Sequence, residues 1–318
     1  MSNNWSEIPV LVTGAGGFIT SHLTRELVRL GAKVNVIVRP HSDLWRLSDI
    51  IDRIQIFPTD ITNAAGLMHD VKKINPQIIF HLAAKTDINR SLELLPAMMA
   101  VNFQGTVNLL NALQDTSFSC FINTGTCEEY GVNEAPFVET QREAPVSPYS
   151  FSKAAATHYC QMLHKTQGLP IVTLRPFLTY GPMQTAGTML IPALVKQCLH
   201  GGKLALTLGE QTRELNYVDD IVRGYLLAAF SPAAIGEIIN LGNGIEYQIK
   251  EVVNTAIKIS DSQLVPLFGK LPYRPGEALH FYCSCRKAYE LLGWKTQVGL
   301  EDGLKKTFAW ARENQNRL

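Results

Sequence analysis

Short apolar runs alternate, along the first half of the chain, with longer segments in which apolar side chains recur every three or four positions. Ile8 to Val12, Lys33 to Val38, Ile54 to Phe57, Gln77 to Leu82, Ser119 to Asn123 and Ile171 to Leu174 read as strands buried on both faces. Ser21 to Leu30, Ala97 to Leu113 and Pro148 to Lys165 read as helices between them. Strand and helix in alternation, joined by right-handed crossovers, build an α/β fold around a doubly wound parallel sheet. Ligands of such sheets bind beyond the carboxyl ends of the strands, which is where Thr124 to Tyr130 must lie. Later in the chain, Gly187 to His200 and Lys203 to Leu208 open a second region. The tail predicts two helices, Cys285 to Leu292 and Leu300 to Glu313, with Gly293-Trp294 between them and Ser284 as cap of the first.

Composition narrows the class. A chain of 318 residues with 46% hydrophobic content can bury a large core, as one sizeable domain or two fused ones. The net charge is +1 and no basic run occurs, so the electrostatic footprint of a nucleic-acid binder is missing. No apolar run reaches the roughly 18 residues of a membrane span, and the N-terminal residues lack the charged and apolar regions of a signal peptide. A cytoplasmic protein with no membrane contact is expected. The six cysteines, Cys120, Cys127, Cys160, Cys198, Cys283 and Cys285, show no C-x-x-C spacing and read as reduced thiols. Cys283 and Cys285 near His280 lack a fourth ligand and the usual spacing, so no metal is expected.

The first strand ends in Thr13-Gly14-Ala15-Gly16-Gly17-Phe18-Ile19-Thr20 and is followed by a helix. Gly14 and Gly17 let the backbone turn tightly and approach a pyrophosphate, whose charge is favoured at a helix N-terminus by free N–H groups and the dipole. A dinucleotide site is expected here, contacted by Phe18 and Ile19; Thr20 replaces the usual third glycine, which would set the helix slightly farther from the sheet. The second strand ends without the acidic residue that bonds a 2′-hydroxyl. Arg39 follows, with His41 and Ser42 close behind; an arginine there can pair with a 2′-phosphate, which leans the reading to NADP over NAD. Asp60-Ile61 after the third strand are placed for the adenine edge, and Leu82-Ala83-Ala84-Lys85 for the passing cofactor backbone. His81 reads as a satisfied interior histidine.

Tyr149 and Lys153 lie four apart on the helix entered at Pro148, and so share a face. A neighbouring ammonium favours the phenolate of a tyrosine, which would bring Tyr149 toward use as an acid and base near neutrality. That is the chemistry of moving a proton while a hydride leaves a carbinol carbon. Taken alone, the pair reads first as an exposed tyrosine and lysine on an ordinary helix.

Taken together, Thr13-Gly14-x-x-Gly17-Phe18-Ile19, His81-Leu82-Ala83-Ala84, Thr126-x-Glu128-x-Tyr130-Gly131, Tyr149-x-x-x-Lys153, Leu174-Arg175-Pro176-Phe177-x-x-Tyr180-Gly181-Pro182, Arg213-Glu214-x-x-Tyr217-Val218-Asp219-Asp220 and Arg274-Pro275-Gly276-Glu277 resemble the extended short-chain dehydrogenase/reductases that modify nucleotide sugars. The resemblance covers nearly the whole chain. It implies a Rossmann domain over residues 1–180, to which some later strands return, and a smaller α/β domain over 181–318 that holds a nucleoside-diphosphate sugar. It also implies that Thr126 bonds the sugar 4-hydroxyl, Tyr149 takes its proton and Lys153 holds the nicotinamide ribose. Glu128 matches the carboxylate that 4,6-dehydratases of the family use as a base at C5. Thr86, Arg90, Leu178, Arg213, Tyr217 and Arg274 fall on the substrate side, with Arg213 and Arg274 matching a diphosphate-gripping pair. Family dimers imply a homodimer through Ala97 to Leu113 and Pro148 to Lys165.

Two departures matter. Leu178 replaces a family asparagine, so sugar or diphosphate placement is expected to differ. Cys127 replaces the aspartate that thymidine-sugar dehydratases carry as general acid. A thiol can protonate a departing hydroxyl or simply pack under the sugar. Thr126-Cys127-Glu128 also resembles the 5,6-dehydratase of tunicamycin biosynthesis. The sequence therefore predicts a dehydratase or epimerase that oxidises C4 transiently, with an NADPH-dependent 4-keto-sugar reductase as the alternative, favoured by Arg39.

Overall fold

The computed structural model describes residues 4–185, 189–273 and 278–318. Strands β1 (Pro9–Thr13), β2 (Lys33–Val38), β3 (Gln55–Pro58), β4 (Ile78–His81), β5 (Cys120–Thr124) and β6 (Ile171–Pro176) follow the expected apolar runs to within a residue or two. They alternate with helices α1 (Phe18–Arg29), α2 (Ala64–Ile74), α3 (Leu95–Met98), α4 (Gly105–Ala112) and α5 (Pro148–Gln167). Three short strands, β7 (Thr179–Tyr180), β8 (Lys203–Ala205) and β9 (Thr212–Glu214), flank α6 (Leu190–His200), and β10 (Asn216–Tyr217) leads into α7 (Val218–Ala228). Strand β11 (Ile238–Leu241), strand β12 (Glu246–Gln248), α8 (Ile249–Ser260), β13 (Val265–Leu267), α9 (Arg286–Leu292) and α10 (Leu300–Glu313) complete the order.

Among the described residues, seven strands form one sheet in the order β11-β6-β5-β4-β1-β2-β3, with every pairing parallel. The doubly wound sheet expected from the alternation is therefore present. Alternate side chains feed two cores. Val10, Val12, Val36, Phe80 and Ile122 pack toward α1 and α7, while Leu11, Ile37, Ile79 and Phe121 pack toward α2, α4 and α5. The strand order reverses between β1 and β4, so the connections that leave their carboxyl ends run to opposite faces of the sheet, and a crevice is expected beyond those ends. Residues after β6 mostly build short pairs, β7 with β10, β9 with β12 and β8 with β13, whereas β11 returns to the large sheet beside β6.

Several boundaries differ from the sequence reading for local reasons. Helix α1 begins at Phe18, directly at the glycine turn. The single helix expected over Ala97 to Leu113 is interrupted by a π turn over Met99–Gln104. There Asn102 is drawn inward to accept from the Lys85 N–H and to donate to the Lys85 carbonyl and the Ser152 hydroxyl. Ser284 is one residue too early to cap α9; the flanking residue is Cys285, and the Ser284 hydroxyl accepts from the Arg286 N–H at 3.4 Å. Gly187 lies outside the described residues. No helix among the described residues is long and apolar enough to cross a membrane.

Candidate active site

The carboxyl ends of β1, β4 and β5 carry the first part of the site. Thr13 and His81 are register partners, and the Thr13 hydroxyl bonds His81 Nδ1 at 2.8 Å and accepts from the Ala83 N–H at 3.1 Å. His81 Nε2 bonds the Thr106 hydroxyl at 2.9 Å, so the ring is satisfied on both sides; burial, then the nearby Lys153 charge, pull it down to about 3. Gly14 has φ +75°, and a Cβ there would sit 2.7 Å from Ala83 Cα. The two loops of the crevice touch through that bare position. Gly17 then starts α1 with no side-chain cap and no acidic residue in the first turn, which leaves Phe18 and Ile19 to present helix N–H groups.

Other residues of the expected cofactor wall divide. Leu82, Ala83 and Ala84 are half-buried along the loop after β4, and Lys85 is exposed while its backbone is held by Asn102. Arg39 is exposed just past β2 and acts electrostatically on Asp60. The Asp60 carboxylate accepts from the N–H and hydroxyl of Thr62, which hold it below the usual range. Ile61 is buried in the core, with its carbonyl taken by Asn108. Thr86 and Arg90 are exposed farther along.

The second part gathers on the turn after β5. Thr126 caps a 3₁₀ turn over Cys127–Tyr130, its hydroxyl accepting from the Glu128 N–H at 3.3 Å. Helix α5 delivers Tyr149 and Lys153 one turn apart; Ser147 caps it, with Pro148 at its first position. Tyr149 is 9% exposed and Lys153 3%. The phenol is pushed above its ordinary value by burial, with the Thr126 side-chain hydrogen bond drawing it down and the charges of Cys127, Glu128 and Glu129 pushing it up. Burial pulls Lys153 down to about 8, against the Glu129 charge. The structure thus corrects one expectation. Burial, which disfavours both charged forms, is the largest influence on each of the two groups. Glu128 is half-buried and acts electrostatically on both Tyr149 and Cys127. The Cys127 thiol, raised by burial and then by Glu128, packs in an aromatic pad of Tyr130, Phe137, Phe177 and Phe281. A hydroxyl, a protonated thiol and a carboxylate on this turn, with the phenol of α5 beside them, can take and give protons around a single carbon framework.

The expected substrate groups sit on the short strands. Leu178 is half-buried against the main core, its carbonyl accepting from Asn216. Arg213 lies over the Phe281 ring and donates to the carbonyls of Thr212 and Ala278 at 2.7 and 2.9 Å. Tyr217 is buried edge-to-face on Tyr180, with Lys306 over its ring. Arg274 lies outside the described residues. Among the described residues no cluster of three or more His, Cys, Asp and Glu side chains is placed to hold a metal ion.

Sequence reasoning missed the support of this turn. Glu129 and Arg175 form a buried pair at 2.7 Å, Arg175 also reaches Glu143, and the Tyr225 phenol donates to the Thr124 hydroxyl at 3.0 Å. Arg175 stood inside a quoted motif, but nothing in the spacing indicated its partner.

A family model described as GDP-mannose 4,6 dehydratase matches residues 11–307. A dTDP-glucose 4,6-dehydratase of Haemophilus influenzae is 28% identical, covering 95% of this chain and 97% of its own. A UDP-glucuronate 4-epimerase of Thermodesulfobacterium geofontis is 30% identical, covering 96% of each. The solved UDP-glucuronic acid 4-epimerase of Bacillus cereus, in complex with UDP-glucuronic acid and NAD, superposes with a TM-score of 0.85 at 30% identity, over 96% of this chain and 99% of that one.

Proposed function

Because the chain belongs to the nucleotide-sugar dehydratase/epimerase family of extended short-chain dehydrogenase/reductases, we propose that it oxidises C4 of a nucleoside-diphosphate sugar transiently and releases a dehydrated or epimerised sugar with its NAD(P) regenerated. The observation that carries this reading is Glu128, a half-buried carboxylate on the turn capped by Thr126 and within electrostatic reach of Tyr149. A reductase has no evident need of it.

The residues at the crevice suit a dinucleotide. The uncapped start of α1 offers N–H groups to a diphosphate, and the bare Gly14 lets the two loops close together. A nicotinamide bound there would supply the acceptor, and later the donor, of a hydride. Thr126 and Tyr149 hold the 4-hydroxyl, and Tyr149 takes its proton as the phenolate; burial disfavours that form, and the positive charge of an oxidised nicotinamide beside it would favour it. Lys153 fixes the ribose. In the dehydration branch Glu128 takes the C5 proton, made acidic by the 4-ketone, and the Cys127 thiol protonates the departing C6 hydroxyl, which leaves as water. Glu128 then returns its proton to C5, and the proton on Tyr149 replaces the one Cys127 gave, so no proton is gained or lost. Arg213 and Arg274 grip the diphosphate, with residues 1–180 and β11 serving the cofactor and most of 181–318 the sugar nucleotide.

Arg39, exposed past β2, favours NADP, whereas the B. cereus relative was solved with NAD. The same arginine supports the second reading, a 4-keto-sugar reductase that consumes NADPH. Incubation of purified protein with a panel of nucleotide sugars, without added nicotinamide, separates the two. The proposal expects product with no net change at 340 nm. Turnover of 4-keto sugars alone, with stoichiometric loss of added NADPH, would make the protein a reductase. A homodimer through residues 97–113 and α5, the latter exposing Phe151 and Met162, belongs to the same proposal.

A further inference from the structure

Arg46, to which no motif points, reaches the glycine turn from outside. It stands on a 3₁₀ turn, Trp45–Leu47, in the connection between β2 and β3. Its guanidinium donates from Nη1 to the Gly16 carbonyl at 3.1 Å, from Nε to the Met183 carbonyl at 2.9 Å and from Nη2 to the Thr185 hydroxyl at 3.4 Å. Three segments far apart in the chain therefore meet on one planar fork, a geometry that arginine offers and lysine does not. The fork is itself braced. Its carbon lies 4.5 Å from the centre of the Trp45 ring, which stacks on Trp310 of α10, and Arg25 of α1 donates to the Arg46 carbonyl. On the far side, Met183 takes φ +65°, a region that residues with side chains seldom occupy, and the preceding carbonyl, of Pro182, is bonded by His22 Nε2 at 2.9 Å. Backbone of that kind persists only where its surroundings fix it.

The consequence lies in the Gly16–Gly17 peptide. Between two residues without a Cβ, a peptide unit can flip at little cost. Here both of its ends are taken: the Gly16 carbonyl by Arg46, and the Gly17 N–H by the Gly14 carbonyl at 2.9 Å. A Cβ at Gly16 would lie 3.2 Å from the Asp43 carbonyl, so the connection that carries Arg46 packs directly on the turn. Gly17 then enters α1 extended, at φ −71° and ψ 166°, and this sets the direction of the Phe18 and Ile19 N–H groups. Those are the donors that suit an anion at the head of the helix. A turn fixed before its ligand arrives loses less freedom on binding.

We propose that Arg46 is a positioning residue for the dinucleotide: it locks the Gly16–Gly17 peptide and docks residues 183–185 on the glycine turn, so that the head of α1 is preorganised for the cofactor diphosphate. This rests on the dinucleotide reading of the crevice given above, and its first test needs no cofactor. In protein stripped of cofactor and followed by NMR, the Gly17 amide exchanges with deuterium about tenfold faster or more in Arg46→Ala than in the unaltered chain, while amides of β5 keep their rates. Calorimetric titration with NADH and with NADPH gives the second readout. The Kd of whichever one the unaltered protein binds rises about tenfold or more in Arg46→Ala, the scale of a lost charge-assisted hydrogen bond. Arg46→Lys, which keeps the charge and loses the fork, shows most of the same loss; an arginine acting on the diphosphate by charge alone would be replaced by lysine with little change. Millimolar methylguanidinium added to Arg46→Ala restores part of the affinity by refilling the gap, a response that a generally damaged protein would not give.

An unchanged Gly17 exchange rate or an unchanged Kd in Arg46→Ala overturns the proposal, as does full affinity in Arg46→Lys. Failure of both variants to fold overturns it too, since Arg46 would then be a determinant of the fold. Unaltered protein that binds neither NADH nor NADPH overturns the dinucleotide reading and the cofactor role together, and faster Gly17 exchange in Arg46→Ala would then identify the lock apart from any cofactor.

Discussion

On the proposed function the crevice has two walls, and they are built in different ways. On one side Gly14, Ala83, Thr126, Tyr149 and Lys153 hang from the carboxyl ends of long parallel strands and from one capped helix, so sheet register sets their spacing. On the other, Leu178, Arg213 and Tyr217 sit on or beside strands of two or three residues that pair only with one another. A rigid wall suits groups that must meet a reacting carbon within a fraction of an ångström. A wall of short strands can change its lining without disturbing the sheet. The account therefore places the shared chemistry on the first wall and the choice of sugar and nucleotide on the second.

Substitutions on the rigid wall should strike turnover. Tyr149→Phe is expected to lower kcat by about 10³-fold or more while calorimetry shows nucleotide-sugar binding preserved; undiminished turnover would remove the mechanism. Glu128→Gln should cost about 10²-fold in net product and let reduced cofactor build up at 340 nm after sugar is added, because oxidation precedes the step that needs the carboxylate. A reductase would hardly respond. On the second wall, Arg213→Ala should weaken nucleotide-sugar binding by roughly ten- to a hundredfold, as expected for a charge-assisted hydrogen bond, with a smaller change in kcat. If Arg213→Ala instead behaved like Tyr149→Phe, the division between the walls would fail.

The smallest effect concerns stability. His81 is buried neutral, with a folded pKa of about 3 against 6.5 for the ordinary group. The unfolded chain takes up the proton first, so stability present above pH 6.5 is lost as pH falls toward 3. Between pH 6.5 and 5.5 the loss from this residue is about 1 kcal/mol. His22, also lowered by burial, adds a loss of the same sign. Urea midpoints of His81→Gln should therefore fall less steeply over that interval than those of the unaltered protein, and an equal slope would contradict the assignment.

Legibility from sequence follows the same division. Six of the seven strands of the large sheet show themselves as apolar runs because burial on both faces leaves little choice of residue; β11, only four residues long, was not read. The Tyr149 and Lys153 pair shows itself because helical periodicity is local. What stayed hidden depends on contacts between distant segments. Glu129 and Arg175 are 46 positions apart and meet only through the sheet. The π turn at Asn102 exists because its side chain bonds Lys85 and Ser152, which no periodicity encodes. The effect of burial on Tyr149 was hidden for a related reason. A pair of residues announces that a cation and a phenol are close, but not that both are sealed from water.

The central claim is that the hydride removed from C4 returns to the sugar within one turnover. A nucleotide sugar carrying deuterium at C4, given to the purified protein and followed by mass spectrometry of the product and of extracted cofactor, tests it most directly. The account predicts that the label stays in the sugar, at C4 after epimerisation or at C6 after 4,6-dehydration, with no deuterated cofactor released. Label lost from the sugar and recovered in reduced nicotinamide, one per turnover, would contradict it.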